Sequence, residues 1–231
     1  MNSKKIVRHT RRAKNSFTQR KARRQAYDKI LIVGEGKSER FYFNDARNFH
    51  QLNTVTVQSL GKDPMRLVQS AIKEYEQSEL IGDAYDMVYC VFDKDQHVEY
   101  KEAIAELNRQ QPIGKWHAIT SVPCFEYWLL LHFKYTTQPF NNCASVIQQL
   151  TGFLPSYSKG LDGLYHKLSD KMDKAIANAQ KATIEARNNR SDNPSTLVYQ
   201  VVKHLQKIEK QTLRDFCIKA VKYRISVLLG N

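Results

Sequence analysis

Tyr89-Cys90-Val91-Phe92-Asp93-Lys94-Asp95 decides the reading of this chain: a short apolar run that stops on two carboxylates one residue apart. From Met87 to Phe92 the residues are β-branched, aromatic or otherwise apolar and do not alternate with polar ones, which predicts a parallel strand buried on both faces. In open α/β sheets, ligands bind in the crevice outside the carboxyl ends of the strands, so Asp93 and Asp95 fall where function collects. A second run ends in the same manner: Ile30-Leu31-Ile32-Val33 leads into Gly34-Glu35-Gly36-Lys37-Ser38-Glu39. If the two strands are neighbours, Glu35 reaches the rim that Asp93 occupies, and so does Glu39 if the helix turns that way. Carboxylates that converge repel one another and push their pKa values up unless a cation neutralises them. Oxygen ligands without a supporting His/Cys cluster favour Mg²⁺ or Mn²⁺ over Zn²⁺. The competing reading is that Asp93 and Asp95 only cap the helix that follows.

Working outward, Ser38 is expected to cap a helix whose amphipathic face carries Phe41, Tyr42, Asp45, Ala46 and Phe49, and Val55-Thr56-Val57 to form a strand. Asp63-Pro64 opens a second helix through Leu67, Val68, Ala71, Ile72 and Tyr75. After the central strand come a helix over Tyr100 to Asn108 and a strand over Trp116 to Thr120. This β-α-β-α-β-α-β order predicts an α/β fold with a mostly parallel sheet of about four strands flanked by helices. Phe125 to Phe133 is apolar nearly all round and should be buried. Glu126 in its first turn must then be paired, protonated or metal-bound, or it complements the helix dipole. His132 reads as a core histidine.

The rest is predicted to be helical, with one long interruption from Leu154 to Gly160, where Lys159 sits on a loop that could reach a phosphate. Leu164 to Ala186 reads as one long helix, Ser195 as the cap of a helix over Leu197 to Ile208, and Leu213 to Leu229 as a final helix with Phe216, Ala220, Val221, Ile225 and Leu228 facing inward. The expected organisation is a basic flexible arm over 1–27, an α/β domain over 28–140 and a helical extension over 141–231.

The chain has 231 residues, 42% of them hydrophobic, enough to bury a substantial core. No apolar run approaches the ~20 residues that span a bilayer, and no apolar segment of a signal peptide follows the basic amino terminus, so a cytoplasmic protein without membrane association is expected. Cys90, Cys124, Cys143 and Cys217 show no C-x-x-C spacing and are expected as free thiols, neither disulfide-bonded nor zinc-binding. Ten Lys and Arg residues precede the first acidic one, Asp28, and so carry ten of the thirteen net positive charges. Arg11, Arg12, Arg23 and Arg24 belong to that arm. Clustered cations gain affinity for phosphate backbones by counterion release, so nucleic acid is the expected partner. Membrane surfaces attract the same charges, but the arm has no lipidation motif or amphipathic pattern; the remaining alternative is a solvated tail.

Three motifs together, strand-E-G-K-S-E, strand-D-K-D-Q-H and S-V-P-C-F-E-Y-W-L-L-L-H-F, resemble the RloB-like (AbiLii-like) family of bacterial defence loci, whose members carry a Toprim-type catalytic fold. The likeness runs from about Ile30 to Leu205 and includes Tyr157 to Lys159 and Asn193-Pro194-Ser195-Thr196. It implies a Toprim-like sheet, metal and acid–base roles for Glu35, Glu39, Asp93 and Asp95, and a companion ATPase encoded nearby. The leading expectation is a Mg²⁺-dependent nuclease of an anti-phage abortive-infection system, with Glu126 as a further catalytic carboxylate and Lys37 or Lys159 on the phosphate. The alternative is a Toprim-shaped module that binds or senses nucleic acid without turnover and regulates the ATPase.

Overall fold

The structure, a computed structural model, describes residues 27–59, 63–94 and 97–228. Asp95 and the arm residues Arg11, Arg12, Arg23 and Arg24 lie outside the described residues. Strand β1 (Ile30–Gly34) leads to α1 (Lys37–Phe49), β2 (Val55–Ser59), α2 (Pro64–Leu80), β3 (Met87–Asp93), α3 (Tyr100–Arg109) and β4 (Trp116–Val122). Then follow α4 (Glu126–Leu130), α5 (Cys143–Phe153), α6 (Leu164–Lys167), a 3₁₀ turn, α7 (Met172–Asn188), β5 (Ser195–Thr196) and α8 (Val198–Leu228).

The sheet order is β2-β1-β3-β4-β5, with the first four strands parallel and β5 antiparallel to β4. Strands β1 and β3 are therefore neighbours, and the chain reverses its direction of travel across the sheet between them, at the switch point where such sheets hold ligands. Side chains alternate across the pleat, and both faces are covered. Ile30, Ile32, Tyr89 and Val91 enter one core with α1, α4 and α8, whereas Leu31, Val33, Val88, Cys90 and Phe92 enter the other with α2 and α3. This two-sided burial is why the strands read as unbroken apolar runs. Asp63 caps α2 through its carboxylate, which accepts from the Met65 and Arg66 N–H groups, with Pro64 at the first helical position.

Several expectations need correction. Asp93 ends β3, and α3 starts only at Tyr100 behind Glu99, so Asp93 is not a helix cap. Gly36, not Ser38, precedes α1; its N–H donates to Glu39 Oε2 at 3.0 Å, and Ser38 Oγ instead accepts from Gly160 N–H at 3.2 Å. Ser195 caps nothing, because Ser195 and Thr196 pair with Val122 and Ser121 as a fifth strand, and it is the Thr196 hydroxyl that accepts from Val198 N–H. The helix expected over Leu164 to Ala186 is broken by the 3₁₀ turn Ser169–Lys171.

The two helices expected at the carboxyl end are one, since the polar stretch Glu209 to Thr212 contains no Gly or Pro to break it. Its first half buries Val198, Val201, Val202, Leu205 and Ile208, but of the expected inward face Phe216, Ala220 and Val221 are exposed, and the side chains of Ile225 and Leu228 lie outside the description. Beyond the polar stretch the helix keeps a polar contact with the body, since Asp215 accepts from Tyr27 O–H at 2.6 Å. Finally, Cys124 and Cys143 form a disulfide, while Cys90 and Cys217 are free. Spacing rules could not foresee this, because the bond joins positions 19 residues apart that α5 and the β4–α4 junction bring together.

Candidate functional site

At the carboxyl ends of β1, β2 and β3 lies a cavity of about 480 Å³ lined by Glu35, Gly36, Lys37, Ser38, Glu39, Ser59, Asp93, Glu126 and Lys159. Three backbone features build its floor. β1 pairs with β3 through Gly34 opposite Val91, and Glu35 N–H continues the ladder to the Val91 carbonyl at 3.0 Å. Glu35 Oε2 then accepts from Asp93 N–H at 3.2 Å, and its Oε1 lies 3.0 Å from His97 Nε2. The carboxylate of one strand is thus anchored on the end of its neighbour.

Gly34 is required for close approach, because a Cβ there would come within 2.9 Å of Glu39 Cβ, and a Cβ at Gly36 would press at 2.9 Å on Glu39 Oε2 and push that carboxylate aside. Their absence of side chains lets Glu39 fold back into the cavity, where it is only 5% exposed. The loop after α5 closes the opposite wall. Gly160, at φ +80°, is tied to Ser38 and packs on Lys37 and Phe41, which brings Lys159 to the rim.

Glu126 enters from the start of α4 and is 1% exposed. Tyr157 O–H donates to its Oε1 at 2.7 Å, Lys159 Nζ lies 3.9 Å from the same oxygen, and Oε2 faces Cys143 Sγ at 3.2 Å. The four residues after it, Tyr127 to Leu130, are wholly buried and hold the backbone in place.

Electrostatically the cavity is a crowd of carboxylates. Burial raises Glu39 from 4.5 to about 7, opposed by its backbone hydrogen bonds and aided by the charges of Glu126 and Glu35. Burial likewise drives Asp93 well above the ordinary carboxylate range; Glu39, Glu126 and Glu35 add to the effect and Lys159 opposes it. Burial and the adjoining Glu126 raise Tyr157, so its hydroxyl keeps its proton and serves as a donor. Among the described residues, the one trio of Cys, His, Asp or Glu ligand atoms within 4.8 Å of one another is Cys124, Glu126 and Cys143. Glu35, Glu39 and Asp93 ring the cavity more openly, as like charges that repel one another do.

All the sequence-derived candidates that are described, Glu35, Lys37, Glu39, Asp93, Glu126 and Lys159, line this one cavity. Two contributors escape a reading of the sequence. His97 stands four residues beyond Asp93 in the quoted motif, but no periodic signal assigns it to Glu35. Tyr157 stands out only as part of its loop, because its hydrogen bond to Glu126 spans 31 positions.

Fold and cavity together define an α/β protein with a carboxylate-lined site at the switch point of a parallel sheet. The chain belongs to the RloB-like protein family, whose model matches residues 30–205, from the first residue of β1 well into α8. No curated protein and no solved structure matches it. No helix among the described residues is long and apolar enough to cross a membrane.

Proposed function

We propose that this protein is a divalent-metal-dependent nuclease whose sheet is a Toprim-type catalytic fold. The observation that carries the reading is the meeting of Glu35, Glu39 and Asp93, from two adjacent parallel strands and the helix between, around one cavity with lysines on its rim. The donor set suits a hard cation: it is all oxygen, and burial, with a smaller contribution from neighbouring like charge, raises Glu39 and Asp93. Glu35, Asp93 and Asp95 are the proposed ligands of Mg²⁺ or Mn²⁺, with Glu39 beside them. When bound, the ion supplies Lewis acidity toward a phosphodiester oxygen and a lowered pKa for its coordinated water.

The chain's own residues do the rest. His97 and the Asp93 amide fix both oxygens of Glu35, so that this carboxylate is oriented before substrate arrives and can take a proton from the attacking water. Lys37 and Lys159 face the same cavity as the carboxylates and give a phosphate a cationic wall. Glu126, held by Tyr157, acts on Asp93 and Glu39 through its charge. Action as the effector of an anti-phage abortive-infection locus, in the cytoplasm and beside a companion ATPase, is part of the same proposal and rests on the family.

Cleavage of plasmid DNA, genomic DNA and total tRNA with Mg²⁺, Mn²⁺ or EDTA, alone and with the ATPase, tests it. Metal-dependent cleavage that EDTA stops is the expected result, and binding without turnover under every condition would sink the nuclease reading. The arm gives a second expected result. Replacing Arg11, Arg12, Arg23 and Arg24 by Ala should weaken nucleic-acid binding and flatten its salt dependence, by about 0.9 in the log–log slope for each duplex phosphate no longer neutralised. An unchanged slope in a salt titration would make the arm a solubilising tail.

A further inference from the structure

The proposed nuclease chemistry makes no use of the disulfide, although one of its sulfurs touches a carboxylate that lines the cavity. Cys124 and Glu126 are each 1% exposed, and Cys143 opens α5 against them. The ligand atoms of all three lie within 4.8 Å of one another. Glu126 Oε2 faces Cys143 Sγ at 3.2 Å, yet a disulfide sulfur has no proton to give a carboxylate. Its other oxygen is already held by Tyr157 O–H at 2.7 Å. A carboxylate with one oxygen fixed by a hydrogen bond and the other turned toward two sulfurs has the outer support typical of a metal ligand.

We propose that Cys124, Glu126 and Cys143 form a site for a thiophilic dication of the Zn²⁺ class, closed while the two cysteines are joined and opened by a thiol reductant. Electrons and protons balance. A dithiol transfers two electrons and two protons to the Cys124–Cys143 bond, which breaks to two thiols while the reductant closes its own disulfide. The dication then displaces both thiol protons to solvent and binds two thiolates and the Glu126 carboxylate. That cluster carries a net charge of −1, which Lys159 Nζ, 3.9 Å from Glu126 Oε1, partly offsets.

Distances agree with this. Tetrahedral zinc, with Zn–S about 2.3 Å and Zn–O about 2.0 Å, needs its sulfurs about 3.7 Å apart and each sulfur about 3.5 Å from the oxygen. Two cysteine sulfurs released from a bond part to about 3.7 Å as a van der Waals contact, so Glu126 Oε2 need retreat by only a few tenths of an ångström from its 3.2 Å. Thiolates select a soft dication and disfavour Mg²⁺, so this site is chemically distinct from the carboxylate cluster and does not depend on its function.

The test uses the full chain and Co²⁺ as the probe, since thiolate-to-cobalt charge transfer reports sulfur ligation whatever else binds metal. The chain is studied oxidised, and after reduction by dithiothreitol that is then removed without air. About one equivalent of Co²⁺ should give charge-transfer and tetrahedral d–d bands in the reduced protein only, bleached by Zn²⁺ and not by Mg²⁺. The bands should survive in C90A/C217A, vanish in Cys124→Ser and in Cys143→Ser, and need about 10-fold more Co²⁺ or beyond in Glu126→Gln. Absence of charge transfer in the reduced chain, equal bands in the oxidised chain, or bands that persist in Cys124→Ser would each overturn the proposal. Should a serine variant fail to fold, the comparison of oxidised and reduced unsubstituted chain still decides.

Discussion

Asp93→Asn is expected to lower metal-dependent cleavage by about 10²-fold or more while leaving the metal-free protein as stable as wild type, or more stable. The two halves of that result come from the same charge. Asp93 is proposed to hold the cation, so its loss removes the chemistry. Without a cation its carboxylate stands among Glu39, Glu126 and Glu35, and burial first, then that company, raises its pKa well above the ordinary value. Asparagine keeps the shape and removes the repulsion.

The pH dependence has a definite sign. A carboxyl whose pKa is higher folded than unfolded binds its proton more tightly in the native state, so stability falls as pH rises between the two values. For Glu39 that window runs from 4.5 to about 7, and for Asp93 it opens at 3.8 and extends upward. Metal-free wild type should therefore lose stability relative to Asp93→Asn as pH rises above 3.8, because the raised Asp93 carboxyl is the group that the variant removes. Mg²⁺ should restore it, because a ligand of the native state alone stabilises by RT ln(1 + [L]/Kd), and the variant should gain less. Melting curves of both proteins across that range, with and without Mg²⁺, check the point. Parallel curves and an identical magnesium response would take Asp93 out of the proposed site.

What the sequence makes legible follows one physical line. β1 and β3 are covered on both faces, so burial is written into the sequence as continuous apolar runs, and the polar residues at their ends stand out against them. Glu35, Glu39 and Asp93 are legible for that reason. Whatever depends on remote pairing is not. The disulfide joins positions 19 apart, Tyr157 meets Glu126 across 31, and Thr196 pairs with Ser121 across 75. The Glu35–His97 contact spans 62. Amphipathic spacing also misleads in the second half of α8, where Phe216 and Val221 are exposed: periodicity shows that a helix has an apolar face and not what lies against that face.

Trp128→Ala should destabilise the fold by about 3–5 kcal/mol, whereas Phe216→Ala should change stability by less than about 0.5 kcal/mol. Both are large aromatic residues on helices with apolar neighbours in sequence, so composition alone does not separate them. Trp128 is completely buried in the core that joins β1 and β3 to α4, α7 and α8, and its indole N–H donates to the Tyr42 hydroxyl at 2.8 Å. Truncation opens a cavity the size of the indole and leaves Tyr42 without that donor, two costs of the kind that large-to-small core changes and broken buried hydrogen bonds impose. Phe216 is 71% exposed on the part of α8 beyond Ile208, so its truncation removes little packing. The tryptophan also bears on the site, since it lies two positions beyond Glu126 on the five-residue helix α4. Loosening α4 should therefore release Glu126 from Tyr157, and a fall in the raised pKa of that tyrosine, followed by ultraviolet titration, should accompany the loss of stability. Equal losses for the two variants in denaturant titrations would mean that α8 is packed along its whole length and that the body does not end at Ile208.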